Sequence, residues 1–226
     1  MNKWELLETT LVPDSQTQMS LYKNGDDYSI CVDGKELMNT RKHGSEESLA
    51  DLGCKKLMGR PDGRVLVGGL GMGFTLAATL RHVGPKAKVE VAELVPAVQD
   101  WNRDYLGEFA GFPLKDARVK VDLGDVADVL RNNPNGFDSI LLDVDNGPSP
   151  FTQDKNTWLY WPEGLGVLYK SLRPQGVVAI WSAYSDRKFF KRLVQAGFMV
   201  KEHQVGVHAN GSGGRHFIWV ADKVKS

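Results

Sequence analysis

The sequence has little of several features that would assign it to a class of protein at once. Cysteine occurs only at Cys31 and Cys54, so no disulfide framework is predicted. Lysine and arginine together number 28, as do aspartate and glutamate. A chain without excess positive charge is not expected to bind nucleic acid non-specifically. No apolar run approaches the roughly 18 to 20 residues that a membrane-spanning helix needs.

The first residues of the chain are polar and acidic where a signal peptide has an apolar core. We therefore expect a cytoplasmic protein that binds neither nucleic acid nor a membrane. Hydrophobic residues make up 42% of the chain and charged residues 25%, which are ordinary globular proportions.

The first part of the chain predicts a small antiparallel β unit over residues 1–44. Three short strand-like segments are separated by Asn-Gly-Asp-Asp and Asp-Gly, which supply the positive φ that tight turns need. These segments are Met19–Lys23, Tyr28–Val32 and Lys35–Asn39. A helix is predicted to follow, with Ser45 as its N-cap and Glu46 and Glu47 in its first turn.

Residues 45–226 alternate between short apolar runs and longer amphipathic ones. Apolar strands separated by helices indicate a parallel sheet covered on both faces. A terminal antiparallel hairpin is predicted from Phe198–Val207 and His216–Ala221. This is the α/β, Rossmann-like arrangement of class I S-adenosylmethionine (SAM)-dependent methyltransferases. The predicted strands are Arg64–Val67, Lys88–Ala92, Arg118–Val121, Ser139–Leu142 and Gly176–Trp181, and the predicted helices are 72–83, 95–107, 124–131, 163–172 and 186–196.

A glycine-rich loop after the first of these strands predicts a nucleotide site. Gly69, Gly71 and Gly73 would let the backbone turn sharply and let a ligand approach the main chain. Dinucleotide sites use G-x-G-x-x-G, and here Phe74 occupies the third glycine's place. The spacing therefore fits SAM, which has no phosphate, better than NAD. A tight turn without a ligand is the alternative.

Two later strand ends carry acidic residues in the order that such a site requires. Glu93 follows the second strand and can accept hydrogen bonds from ribose hydroxyls. Gly124 and Asp125 follow the third strand, where a carboxylate can accept from an adenine amino group. Each has a plain alternative, since Glu93 can be a surface glutamate and Gly-Asp commonly starts a helix. Ligands of open α/β sheets bind outside the carboxyl ends of the strands, where all these residues fall.

The fourth strand ends in a pair of carboxylates, Asp143 and Asp145. If the chain is extended they face the same side, where they could hold an amine and take its proton. A tight turn is the alternative for both residues, and a divalent metal is a third interpretation. No histidine in the sequence has metal-ligand spacing, so no metal is assigned.

These residues resemble the spermidine synthase family, the polyamine aminopropyltransferases. The likeness spans about residues 19–222, and short bacterial spermidine synthase-like proteins share the segments HGSEE, GGLGMGFTL, LLDVDNGP and RHFIW. The resemblance implies that Gly68–Gly73 and Glu93 bind the adenosyl group, with Gly124-Asp125 on the adenine side. It implies that Asp143 is the base and that Asp145 helps to bind the acceptor. It also implies a homo-oligomer, such as a dimer.

The sequence departs from the family pattern where the donor amine would bind. The family has an aspartate in the glycine loop, which holds the amine of decarboxylated SAM, and this chain has Met72 there. The second acid lies two rather than three residues after Asp143, and Ser45-Glu46 replaces Tyr-His. The loss of the loop anion favours ordinary SAM.

The primary hypothesis is therefore transfer of a methyl group from SAM to a small amine. The first alternative is an aminopropyltransferase that uses decarboxylated SAM. A non-catalytic nucleotide-binding or interaction protein is the second alternative.

Overall fold

The computed structural model describes residues 3–143, 158–208 and 210–224. A four-stranded sheet contains β1 (Glu5–Leu11), β2 (Gln18–Asn24), β3 (Asp27–Val32) and β4 (Lys35–Asn39). A seven-stranded sheet contains β5 (Arg64–Gly68), β6 (Lys88–Glu93), β7 (Val119–Leu123), β8 (Phe137–Leu142), β9 (Leu172–Ser182), β10 (Phe198–Gly206) and β11 (Arg215–Lys223). The α-helices described are α1 (Gly44–Gly53), α2 (Phe74–His82), α3 (Pro96–Trp101), α4 (Val126–Asn132), α5 (Pro162–Ser171) and α6 (Arg187–Gln195).

The N-terminal sheet is antiparallel and contains one strand that the sequence did not predict. Strands β2, β3 and β4 are the three predicted segments, and β1 pairs with β2 at the sheet edge. The carboxylate of Glu8 in β1 accepts hydrogen bonds from Trp101 Nε1 at 2.8 Å and from the Tyr105 hydroxyl at 2.9 Å. These partners are far away in sequence, so the local pattern did not indicate the strand.

The larger sheet has the order β10-β11-β9-β8-β5-β6-β7. Strands β7, β6, β5, β8 and β9 are parallel, while β11 is antiparallel to β9 and β10 is antiparallel to β11. The predicted Rossmann-like sheet with a terminal antiparallel hairpin is confirmed.

Side chains of the parallel strands alternate between two hydrophobic cores, one on each face of the sheet. Val65 and Leu141 belong to the first core, whereas Leu66 and Ile140, their neighbours in the chain, belong to the second. This alternation follows from the two-residue period of a strand. In the described part of the chain, no helix is both long enough and apolar enough to cross a membrane.

Helix α1 packs against α2 and β9 of the larger sheet. Its predicted N-cap is wrong, because the helix begins at Gly44 and Ser45 lies inside its first turn. The Ser45 hydroxyl instead donates to Glu46 Oε2 at 2.6 Å. The division of the chain into domains 1–44 and 45–226 stays a prediction.

The predicted helix 95–107 is interrupted. Helix α3 ends at Trp101 and continues as a π-helical turn over Asn102–Leu106 and a 3-10 turn over Gly107–Ala110. The Asn102 side chain donates to Val98 O at 2.9 Å and to Gly71 O at 2.7 Å. The π turn therefore places a helical side chain against the glycine-rich loop, a use typical of such irregular turns.

Candidate functional site

The carboxyl ends of β5, β6, β7 and β8 meet at one cavity. It encloses about 870 Å³ of empty space, the part open to solvent included. The sequence-predicted site residues that line it are Gly69, Gly71, Glu93, Gly124, Asp125 and Asp143. Asp145 lies outside the described residues, and Gly73 is not part of the lining.

The glycine-rich loop follows β5, and its three glycines differ in position. Gly69 (φ +84°) and Gly71 (φ +51°) line the cavity, and a Cβ at Gly71 would lie 3.0 Å from the Met38 sulfur. Gly73 (φ +84°) is the N-cap of α2, and a Cβ there would lie 3.0 Å from Asn102 Oδ1. The structure thus places Gly73 against the irregular turns that follow α3, and its positive φ belongs to the turn into α2.

Glu93 ends β6, lines the cavity and anchors the glycine-rich loop. It is buried, and its Oε2 accepts from the backbone N–H of Leu70 at 2.8 Å. Its Oε1 accepts from the backbone N–H of Val95, also at 2.8 Å. Because each carboxylate oxygen can accept more than one hydrogen bond, loop anchoring is compatible with binding of ligand hydroxyls. Glu93 is therefore not a surface glutamate.

Asp125 is both a helix cap and part of the cavity lining. Its Oδ1 accepts from Ala127 N at 2.8 Å, which caps the N-terminus of α4. Gly124, just before it, donates its N–H to Glu93 O at 2.8 Å. The alternative interpretation, in which Gly-Asp starts a helix, is thus correct, and the same two residues also line the cavity.

Another part of the cavity lining comes from the N-terminal sheet and the loop between β1 and β2. This wall is mostly apolar, and its residues are Val12, Thr17, Met19, Ile30, Val32, Leu37 and Met38. Sequence reasoning missed it, because no local pattern shows which face of a small sheet packs over a distant loop. The cavity is thus lined by polar groups at the strand ends and by apolar side chains, many of which belong to the N-terminal sheet.

Asp143 lies directly after β8 and is held by α2. Its backbone N–H donates to Gly68 O at 3.0 Å, and its Oδ2 accepts from the Thr75 hydroxyl at 2.9 Å. Thr75 is buried in the first turn of α2, two residues beyond Gly73. Sequence reasoning missed Thr75, since a threonine inside a predicted helix is not a distinctive signal.

A smaller cavity adjoins the first, and Met38, Gly71 and Asp143 line both. Glu46 of α1 also lines this smaller cavity, next to Met72. Its side chain keeps some contact with solvent through the cavity, but protein surrounds the rest of it. Burial, and then the negative charge of Asp143, raise the pKa of Glu46 from 4.5 to about 8.

Ser45 and His216 orient the carboxyl group of Glu46. The Ser45 hydroxyl donates to Glu46, and His216 Nδ1 of β11 lies 2.9 Å from the Ser45 oxygen. With the Ser45 proton directed to Glu46, His216 Nδ1 is the donor to Ser45. Burial, and then the charge of Lys42, lower the pKa of His216, which favours the neutral ring.

The described residues contain no group of three or more His, Cys, Asp or Glu side chains that could hold a metal ion. What the site offers is hydrogen-bond acceptors at the β6 and β7 ends and two carboxyl groups near the β8 end. Such an arrangement suits a ligand with hydroxyl groups at one end and a positive charge at the other.

Comparison with known proteins gives consistent matches. Residues 43–201 match the family model of the spermine/spermidine synthase domain. Polyamine aminopropyltransferase 2 of Streptomyces coelicolor is 31% identical over 203 residues, which cover 84% of this chain and 34% of that protein. Polyamine aminopropyltransferase of Korarchaeum cryptofilum is 27% identical over 135 residues, which cover 59% of this chain and 40% of that protein. The chain thus spans well under half the length of these curated relatives.

Two solved structures share the fold. Spermidine synthase from Thermotoga maritima superposes with a TM-score of 0.76 at 20% identity, covering 98% of this chain and 74% of that one. A spermidine synthase in complex with the transition state analogue AdoDATO gives a TM-score of 0.75 at 19% identity, covering 98% of this chain and 73% of that one.

These matches are to aminopropyltransferases and spermidine synthases, so methyl transfer, the primary sequence-based hypothesis, gains no support from them. The family model, in contrast, covers most of the chain and includes the glycine-rich loop, Glu93, Asp125 and Asp143. As the sequence resemblance predicted, the chain belongs to the spermine/spermidine synthase family.

Proposed function

We propose that the protein is a polyamine aminopropyltransferase, which transfers the aminopropyl group of decarboxylated SAM to a small amine. The observation that carries this proposal is the convergence of the glycine-rich loop, Glu93, Asp125 and Asp143 on one cavity. Membership of the spermine/spermidine synthase family and the names of the curated relatives support it.

The adenosyl group would occupy the larger cavity. Glu93 at the end of β6 would accept hydrogen bonds from the ribose hydroxyls, and Asp125 at the end of β7 would accept from the adenine amino group. The apolar wall from the N-terminal sheet would cover the base. Gly71 would let the sulfonium part of the ligand pass close to the backbone.

The transfer is a direct displacement near Asp143. The amine lone pair forms a bond to the carbon attached to the sulfonium, and the carbon–sulfur bond breaks with its electrons passing to sulfur. The products are 5'-methylthioadenosine and an aminopropylated amine. The new nitrogen carries an extra proton, for which the Asp143 carboxylate is the acceptor. Alignment of nitrogen, carbon and sulfur supplies much of the rate enhancement.

The position of Glu46 favours aminopropyl over methyl transfer. Met72 leaves the glycine-rich loop without an anion, which by itself favours ordinary SAM. However, Glu46 and Asp143 line the same small cavity as Met72, so carboxyl groups are present beside it. A donor that carries its own carboxylate would meet repulsion there, whereas decarboxylated SAM carries only positive charge.

The assay that tests this proposal supplies the protein with decarboxylated SAM or SAM, each with a panel of diamines. We expect 5'-methylthioadenosine and an aminopropylated product with decarboxylated SAM. Formation of S-adenosylhomocysteine from SAM, without 5'-methylthioadenosine from the other donor, would establish methyl transfer instead. Binding of 5'-methylthioadenosine with no turnover of either donor would favour the non-catalytic alternative.

Asp143→Asn tests the role of Asp143 in the same assay. The amide can still accept from Thr75 but cannot take a proton, so we expect turnover to fall by about 100-fold or more. Binding of 5'-methylthioadenosine, measured by calorimetry, should stay within about twofold of the wild-type value. Unchanged turnover would exclude Asp143 as the base. A cytoplasmic location and a homodimer stay predictions.

A further inference from the structure

Glu46 and Asp143 reach the smaller cavity from distant parts of the chain. Glu46 belongs to α1, which precedes the larger sheet, and Asp143 follows β8. Each carboxyl group is oriented by a hydroxyl from its own side of the cavity. Ser45 donates to Glu46 at 2.6 Å, and Thr75 donates to Asp143 at 2.9 Å. Two carboxyl groups, each with its own hydroxyl donor, therefore line the same small cavity.

The lining of this space contains no basic side chain among the described residues. Apart from Glu46 and Asp143 it is formed by uncharged residues: Met38, Asn39, Leu70, Gly71, Met72, Phe74 and Thr75. With Asp143 charged, Glu46 retains a proton at neutral pH because its pKa is raised to about 8. A positively charged ligand would stabilise both carboxylates, since opposite charges a few ångströms apart attract strongly in a partly desolvated site.

The ligand group that fits is a primary ammonium on a short chain. It carries one positive charge and three N–H donors, which two carboxylates and nearby hydroxyl oxygens can accept. The smaller cavity adjoins the larger one at Gly71, the loop residue that both cavities share. A chain that leaves the sulfonium at this loop would carry its terminal ammonium into the smaller cavity.

We propose that Glu46 is the residue that selects the donor, by binding with Asp143 the terminal ammonium of the aminopropyl group. This inference rests on the proposed function, because it assigns one end of the donor to a place in the same site. Ser45 and His216 are positioning residues that fix the Glu46 carboxyl group. Glu46 thus supplies from α1 a negative charge that the glycine-rich loop, with Met72, does not contain.

The test compares three ligands by calorimetry on the full chain at neutral pH. 5'-Methylthioadenosine has no ammonium, decarboxylated SAM has one, and SAM has an ammonium beside a carboxylate. We expect Glu46→Gln to weaken the binding of decarboxylated SAM at least about tenfold. The affinity for 5'-methylthioadenosine should stay within about twofold of the wild-type value. The preference of the wild type for decarboxylated SAM over SAM should shrink in the variant.

Glu47→Gln is the matched control. Glu47 is the next residue of the same helix, and its carboxylate lies 3.6 Å from His43 Nδ1 and 3.5 Å from Arg81, outside the lining of the cavity. We expect the Glu47→Gln variant to bind all three ligands with the affinities of the wild type. If both substitutions reduced the affinity for decarboxylated SAM equally, the assignment to Glu46 would be overturned.

The outcomes separate this inference from the proposed function. If the wild type and Glu46→Gln bind decarboxylated SAM equally, the inference is wrong while the proposed function stands. If the wild type binds neither 5'-methylthioadenosine nor decarboxylated SAM, the proposed function itself fails. Unchanged binding of 5'-methylthioadenosine also verifies that the variant is folded.

Glu46→Asp distinguishes charge from shape. It keeps the carboxylate and shortens its reach, so we expect a smaller loss of affinity for decarboxylated SAM than Glu46→Gln causes. A larger loss than with glutamine would show that side-chain length rather than charge governs binding, and would overturn the proposal.

Discussion

Two glutamates near the site, Glu93 and Glu46, have opposite environments. Glu93 accepts two backbone N–H groups at 2.8 Å each, from the glycine-rich loop and from the chain just after β6. Glu46 accepts from the Ser45 hydroxyl at 2.6 Å and shares its cavity with Asp143. The donors around Glu93 are part of the fold and stabilise its carboxylate without a ligand. Around Glu46, burial and the nearby charge of Asp143 oppose ionisation, so below about pH 8 the protonated carboxyl group is favoured unless a cation binds.

This difference shows how the two ends of the cavity are built. The acidic side chains at the ends of β6 and β7 are held by the fold itself, because Glu93 anchors the glycine-rich loop and Asp125 caps α4. The end at α1 and β8 differs, because two carboxyl groups, those of Glu46 and Asp143, line one small cavity. The same substitution, glutamate to glutamine, should therefore change stability in opposite directions at the two positions.

The largest effect on stability is expected for Glu93→Gln. One carboxylate oxygen becomes an NH₂ group that faces the N–H of Leu70 or Val95, so a hydrogen bond is lost and two donors oppose each other. The free energy of unfolding should fall by about 3 kcal/mol, as expected for losing a hydrogen bond to a charged group in a buried site. Urea unfolding measures this change. An unchanged midpoint would show that the two backbone bonds contribute little.

A smaller effect of opposite sign is expected for Glu46→Gln. The Glu46 pKa is raised from 4.5 to about 8, so between these pH values the folded chain holds a proton that the unfolded chain has lost. The stability that this proton contributes is complete below about pH 4.5 and is lost as the pH rises to about 8.

The glutamine side chain is uncharged at every pH in this range, so the variant does not lose stability as the pH rises. At about 1.4 kcal/mol per pH unit, a pKa rise from 4.5 to about 8 corresponds to about 5 kcal/mol. Because the Glu46 side chain is partly exposed, solvent screening reduces this value, and at pH 8.5 we expect the variant to be more stable than the wild type by about 2 kcal/mol. At pH 4.5 the advantage should disappear. Thermal unfolding of both proteins across this pH range measures the difference, and a constant difference at every pH would contradict the assignment.

The smallest effect is expected for Thr75→Val. The substitution keeps the shape of the side chain and removes the hydroxyl that donates to Asp143. Stability should fall by about 1 kcal/mol, the usual contribution of one hydrogen bond, and turnover should fall a few-fold. Thr79→Val is the control, because the Thr79 hydroxyl donates to Thr75 O within α2. The two variants should lose similar stability, and only Thr75→Val should lose turnover.

The polar strand ends could be predicted because they depend on the order of residues along the chain. A parallel sheet brings the residues after successive strands to the same edge, so Gly69, Glu93 and Asp125 could be placed together from the sequence. Gly73 belongs to the same pattern, but which side it faces depends on the packing of Asn102. The sequence alone therefore assigned Gly73 to the ligand, whereas in the structure it packs against Asn102 in the π turn after α3.

The residues that surround Glu46 could not be predicted in this way. His216 and Ser45 are 171 positions apart, and Thr75 and Asp143 are 68 apart. No periodicity or turn signal relates such positions. The apolar wall formed by the N-terminal sheet was missed for the same reason, since an antiparallel sheet of this size can pack either face on a neighbour.

The alternation of strands and helices after residue 44, the glycine-rich loop and the acidic residues at the strand ends could all be predicted from the sequence. These features arise from local periodicity and turn chemistry, which act over a few residues. Only the tertiary structure decided that α1 brings Glu46 next to Asp143, and that a cavity with two carboxyl groups adjoins the larger one. The physical reason is that this arrangement depends on how α1, α2 and β11 pack on the sheet, and packing joins side chains that no local pattern connects.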